Sequence, residues 1–169
     1  VEAGVVVVVA AGNAGPDPHT ITSPGTSPDA ITVGASSNAR FFASALEITA
    51  DSSLPMELER IGYVAGIGEV ISESVGPLPI VSIRTLDETE LACESFPAGS
   101  FSGKVVLIRR GTCFFSLKAS NVFDADARGM VVYNNVEGSA VVMSGLDGIQ
   151  EPAVMIQRSF GESLRDFLI

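Results

Sequence analysis

Apolar positions follow different rhythms in different parts of this chain. Val5-Val6-Val7-Val8-Val9-Ala10 has no polar position in it, the pattern of a strand covered on both faces, as in parallel sheets. It runs into Gly12-Asn13-Ala14-Gly15-Pro16, a stretch dense in turn formers. A second turn cluster, Ser23-Pro24-Gly25-Thr26-Ser27-Pro28-Asp29, leads into a short strand over residues 30–33. Gly34-Ala35-Ser36-Ser37-Asn38 then breaks the pattern. A boundary near Arg40 divides residues 1–40 from residues 41–169.

Beyond that boundary the texture changes to short strands, expected over 42–49, 68–72 and 79–83. The clearest is 104–109, launched from Phe101-Ser102-Gly103 and closed by Gly111. A helix is expected over 114–128, with Phe115, Ala119, Val122 and Phe123 at three- and four-residue spacing. Lys118, Asp124 and Asp126 fall off that face, and Gly129 is placed as the C-terminal stop. Met130-Val131-Val132-Tyr133 reads as a buried strand ending at Asn134-Asn135. This strand–helix–strand unit implies a parallel crossover. Strands over 140–143 and 153–156 follow, then a short helix opening near Ser159, with Leu164, Phe167 and Leu168 on one face.

Composition narrows the class. The chain has 169 residues, 46% of them hydrophobic, with a mean hydropathy of +0.38, so a core can form and disorder is excluded. Net charge is −10, spread without acidic runs, which reads as a solvated anionic surface. Nucleic acid is not an expected partner, because phosphate binding needs clustered Lys and Arg. No apolar run approaches the roughly 20 residues that span a bilayer.

Few residues carry candidate chemistry. Asn13, delivered at the carboxyl end of a strand, can donate its amide N–H to a developing oxyanion without titrating; it can equally shape a turn. His19, the single histidine, sits in Asp17-Pro18-His19-Thr20 and reads as a turn residue. Ser27 is followed by Pro28-Asp29 and a strand, a poor setting for a nucleophile. Tyr133, Asn134 and Asn135 end a buried strand and either bind an extended peptide or cap the sheet. Cys93 and Cys113 can be free or bridged; a bridge closing that loop is worth roughly 3 kcal/mol. No metal-ligand spacing and no phosphate-cradling glycine motif occurs, so no cofactor is expected.

Two resemblances organise these observations. Val9-Ala10-Ala11-Gly12-Asn13, with Asp29-Ala30-Ile31-Thr32-Val33-Gly34-Ala35, is similar to the subtilisin-like serine proteases (subtilases, peptidase family S8). That resemblance implies that Asn13 is the oxyanion-hole asparagine of the parent enzyme. Ala92-Cys93, then Phe101-Ser102-Gly103-Lys104-Val105-Val106-Leu107-Ile108-Arg109-Arg110-Gly111-Thr112-Cys113-Phe114-Phe115, resembles the protease-associated (PA) domain, as do Gly129 to Asn135 and Pro152 to Ile156. One departure is Asp124-Ala125-Asp126-Ala127, which replaces the small Ala-Gly step usual near the end of the family helix.

The implied fold class is α+β: a PA-type β-barrel-like domain with flanking short helices over 41–169. A strand-containing segment of a subtilisin-like α/β core, residues 1–40, precedes it. The implied function is that of a fragment of a secreted or cell-surface serine endopeptidase, in which the PA insert modulates substrate access, specificity or protein contacts. The family's Asp, His and Ser triad is not legible here, so the fragment alone is expected to be inactive. Calcium in the parent is allowed by the family, but no calcium-ligand pattern is legible. Partners would be the protein or peptide substrate, and a homodimer through an exposed N-terminal strand. The alternatives are a stand-alone peptide- or protein-binding PA module and a PA domain attached to a zinc aminopeptidase.

Overall fold

The computed structural model describes residues 4–15, 17–35, 43–50, 53–67 and 76–169. It falls into two compact units, Val1–Phe42 and Ala43–Ile169. In the first, β1 (Val8–Ala10) pairs in parallel with β2 (Ile31–Val33), Val9 opposite Thr32. The valine run does not form the long two-face-buried strand that its sequence suggests. Only its end joins the sheet, and Val6 and Val8 are 74% and 59% exposed. Among the described residues of this unit β1 pairs with β2 alone, and only Val9 of its three side chains is half-buried.

The second unit is built on a five-stranded sheet. In chain order its elements are β3 (Ala45–Glu47), β4 (Arg60–Gly62), β5 (Val64–Ala65), β6 (Ile80–Ser82), β7 (Val105–Arg109), α1 (Phe115–Phe123), β8 (Gly129–Tyr133), β9 (Ala153–Ile156) and α2 (Arg158–Phe167). The sheet order is β5-β9-β8-β7-β6, while β3 and β4 form a separate antiparallel pair. β6, β7, β8 and β9 run parallel, and β5 joins β9 antiparallel at one edge. Among the described residues β5 and β6 are not paired with each other, so this sheet is open rather than closed into a barrel. The architecture is α+β, as expected from the sequence.

Period-two alternation explains why the central strands are apolar throughout: both faces are covered. Val106, Ile108, Met130, Val132 and Met155 face one side with Ala119 and Val122 of α1. Leu107, Val131, Tyr133, Val154 and Ile156 face the other, with Leu164 of α2 and Leu58 and Ile61 of the β3–β4 region. Each such side chain contributes about 1.5–3 kcal/mol by leaving water.

Several expectations shift. The strand over 68–72 lies outside the described residues, as does residue 42. The segment 140–143 is not a strand; Gly138, Gly145 and Gly148 adopt positive φ around it, which breaks a ladder. Met143 and Leu146 nonetheless plug the α1-side core, both essentially fully buried. α1 stops at Phe123, short of Gly129, which opens β8 instead. Asp126 takes a left-handed φ of 66°. Its N–H bonds to the Phe123 carbonyl and that of Ala127 to the Val122 carbonyl, a Schellman closure made without glycine. Ala125 and Ala127 are buried behind it.

Gly161 sits inside α2, where glycine costs about 1 kcal/mol relative to alanine. The helix lies so close to β8 that a Cβ at 161 would be 2.0 Å from Tyr133 Cβ. Gly161→Ala must therefore push α2 off the sheet and should destabilise the domain by about 1–3 kcal/mol in urea unfolding, despite the better helix propensity. Asp126→Gly should act in the opposite direction, raising stability by about 1 kcal/mol by relieving the left-handed backbone.

Candidate functional site

β1 delivers Gly12-Asn13 at its carboxyl end. The Ala11 N–H still bonds to the Val33 carbonyl at 2.9 Å; the chain then turns at Gly12, whose φ is +95°, and a Cβ there would meet Thr22 Oγ1 at 2.6 Å. Asn13 follows and is exposed, so its amide is free to face a ligand. His19 is exposed with a φ of 65°. Ser27 lies in a turn in which its N–H bonds to the Pro24 carbonyl and its own carbonyl accepts from Ala30. Among the described residues no hydrogen bond joins the two, so they do not form a nucleophile–base pair.

In the second unit the carboxyl end of the parallel strands is closed by the loop 87–93, which is built around its own acid. Asp87 accepts from Thr89 Oγ1 at 2.5 Å and from the N–H groups of Thr89, Ala92 and Leu91 at 2.9, 2.9 and 3.1 Å. Burial alone would raise its pKa; these bonds outweigh it and hold the carboxyl below the ordinary value. The turn leaves Glu90 and Ala92 at φ of 62° and 52° and points successive carbonyls inward. Glu90 O accepts from the Arg109 N–H at 2.7 Å. Leu91 O accepts from Lys118 Nζ, and Ala92 O from Asn121 Nδ2 at 3.0 Å. Lys118 also donates to Arg109 O at 3.2 Å. Cys93, the next residue, is bridged to Cys113.

Lys118 is thus the opposite of its expected surface position: it is fully buried. Burial pushes its amine down to about 8, with the Asp87 charge pulling the other way. Glu90 is buried as well, its carboxylate accepting from Tyr133 Oη and lying 3.6 Å from Arg84 Nε and 3.7 Å from an Arg165 guanidinium nitrogen. Burial, and then the Glu90 carboxylate, push the Tyr133 phenol up to about 12. Asn134 Oδ1 accepts from Arg110 at 2.9 Å and from the Asn135 N–H at 3.0 Å, and its amide donates to Ser139 O.

The polar atoms of Tyr133 and Asn134 are therefore spent inside the fold, and of the three only Asn135 keeps a partly exposed side chain. A cleft of about 320 Å³ opens elsewhere, near the amino end of β7, walled by Leu46, Ile48, Pro79, Val105, Phe167 and Leu168 among others; among the described residues Glu47 is the single charged side chain in it. Among the described residues no group of three or more His, Cys, Asp or Glu could hold a metal, and no helix is long and apolar enough to cross a membrane.

Lys118 sets a pH dependence. Its folded pKa lies below the unfolded value of 10.5, so between pH 8 and 10.5 the unfolded chain binds a proton that the folded one does not. Stability should rise with pH through that window and flatten below it. Above pH 10 the raised Tyr133 works in the other direction. Lys118→Met should abolish the rise between pH 8 and 10 and lower stability by about 1–3 kcal/mol, because two carbonyls lose their donor. Urea midpoints measured at each pH check both effects.

Residues 76–164, just over half of the chain, match the family model described as "PA domain". The chain is 31% identical over 170 residues to the minor extracellular protease Vpr of Bacillus subtilis (strain 168), covering 95% of this chain and 18% of that protein. It is 30% identical over 167 residues to subtilisin-like protease SBT1.4 of Arabidopsis thaliana, covering 98% and 20%. Leucine aminopeptidase 2 of Arthroderma otae is 44% identical over 70 residues, 41% of this chain and 14% of that protein. The chain thus spans a fifth or less of these relatives' length. A zinc aminopeptidase of Bacillus subtilis, BSAP, superposes with a TM-score of 0.51 at 25% identity, over 62% of this chain and 25% of that one. With its sheet, its clamped loop and this match in agreement, the chain belongs to the PA domain family and resembles that domain as it occurs in peptidases.

Proposed function

We propose that this chain is part of a secreted or cell-surface subtilisin-like serine endopeptidase. Residues 1–40 belong to its catalytic core, and residues 41–169 form an inserted PA domain that governs substrate access, specificity or protein contacts. The observation that carries this reading is where the similarities extend. Vpr and SBT1.4 align with 95% and 98% of the chain, the N-terminal unit included, whereas the aminopeptidase similarities cover 41% and 62%. That N-terminal unit is a parallel strand pair presenting exposed Asn13 at a carboxyl end, where an oxyanion donor belongs. In this reading the work of the PA domain is contact rather than cleavage. The aminopeptidase matches favour a second reading, a PA domain beside a metal-dependent exopeptidase.

The two readings separate on the product of the whole gene. A serine-directed fluorophosphonate should label and inactivate it while a zinc chelator leaves it active; the reverse result would establish the aminopeptidase. In the same protein Asn13→Ala should lower kcat by about 10²–10³-fold with little change in KM. The 169-residue chain alone should neither take the label nor hydrolyse a protein substrate.

A further inference from the structure

The chain between β1 and β2 closes a ring of four hydrogen bonds just beyond the end of β1. The Ala11 N–H donates to the Val33 carbonyl at 2.9 Å, the Thr22 N–H to the Ala11 carbonyl at 3.3 Å and the Gly25 N–H to the Thr22 carbonyl at 2.8 Å. The half-buried Thr32 hydroxyl completes the ring, donating to the Gly25 carbonyl at 2.6 Å. Thr32 and Val33 are neighbours in β2, so the circuit begins and ends on one strand. Its other links run from backbone to backbone; the Thr32 link alone depends on a side chain. Valine would suit the same strand position, so the hydroxyl is what the ring adds to the demand on residue 32.

The ring has little slack. Gly25 is buried between exposed Pro24 and Thr26, and a Cβ there would lie 3.0 Å from the Thr22 carbonyl oxygen and 3.1 Å from that of Ala10. Gly12 takes a φ of +95°, and a Cβ on it would lie 2.6 Å from Thr22 Oγ1. The turn over 22–25 thus presses on β1 at Ala10 and on Gly12 beyond its end. The Ala11 carbonyl that the ring holds belongs to the planar peptide unit joining Ala11 to Gly12. The orientation of that plane sets the direction in which Asn13 leaves the strand.

We infer that Thr32 is a positioning residue for the amide of Asn13. Through Gly25 and Thr22 its hydroxyl fixes the Ala11–Gly12 peptide, and with it the aim of the donor. The inference rests on the reading of Asn13 as an oxyanion donor and deepens it. Such a donor stabilises developing charge only while it is held in place beforehand. An exposed asparagine that follows a glycine has no such restraint of its own. Thr32 touches no reacting atom in this scheme; it acts through the turn.

The product of the whole gene tests it, through kcat and KM on a peptide substrate for Thr32→Val, Asn13→Ala and the two together. Thr32→Val should lower kcat about tenfold and leave KM within about twofold. Thr32→Ser, which keeps the hydroxyl, should restore kcat. In the Asn13→Ala protein, Thr32→Val should change kcat by less than about twofold, because the group it aims is gone. Gly25→Ala, which forces the same turn off β1, should repeat the pattern and carries the test if Thr32→Val does not fold. Equal losses of kcat with and without Asn13 would overturn the inference, since a general loosening of the unit acts in both backgrounds. A rise in KM alone, or no effect of Thr32→Val, would overturn it too. If Asn13→Ala itself leaves kcat unchanged, the oxyanion reading falls and the inference with it, whatever Thr32 does.

Discussion

Leu91 and the residues on either side of it turn their carbonyl oxygens toward the interior, and each must find a donor there. A buried carbonyl left dry costs about 1–3 kcal/mol, so the loop can close over the sheet only where donors already wait. β7 supplies one from its backbone at Arg109; α1 supplies two from side chains a helical turn apart, Lys118 and Asn121. Strand, helix and loop are thereby fixed as one body. The bridge from Cys93 to Cys113 ties the same loop to the turn that starts α1, so covalent and hydrogen-bonded restraints act on the same joint.

The opposite face of the sheet is held first by contact distance. α2 comes down on Tyr133 at Gly161 with no room for a methyl group. Tyr133 then reaches Glu90 in the clamped loop, and Glu90 lies near Arg165 of α2. Helix, strand and loop form a closed circuit around one buried carboxylate. In consequence the carboxyl end of the sheet is tied down on both faces.

Much of the fold was legible in the sequence because its signals are local. The run from Val105 to Arg109, the unbroken apolar stretch Met130 to Tyr133 and the apolar face of Phe115, Ala119 and Val122 each identify an element without reference to the rest. What was not legible depends on partners distant in the chain. Lys118 reads as a surface residue until the two carbonyls of residues 91 and 109 are seen around it. Gly161 looks like an indifferent helix residue until Tyr133 is placed beneath it. The valine run misleads in the other direction: its composition describes the neighbours it would suit, whereas among the described residues of this unit β1 has only β2 beside it. Among the candidate site residues, Asn13 is exposed just beyond the carboxyl end of β1. Tyr133 and Asn134 are spent on the fold, a commitment that a motif at a strand end cannot reveal.

The loop closed by Cys93 and Cys113 has a sequence separation of 20 and threads β7, the strand flanked by β6 and β8, through its interior. The stretch after Cys93 includes exposed residues such as Glu94, Pro97 and Gly99, the kind of surface turn at which peptidases nick a chain. A single cut there opens the backbone but releases nothing: both ends stay joined through sulfur, and β7 keeps its place between its neighbours. In the reading proposed above, with a peptidase in the same protein, this makes one hydrolytic wound survivable. The molecule is interrupted as a thread yet remains whole as a body.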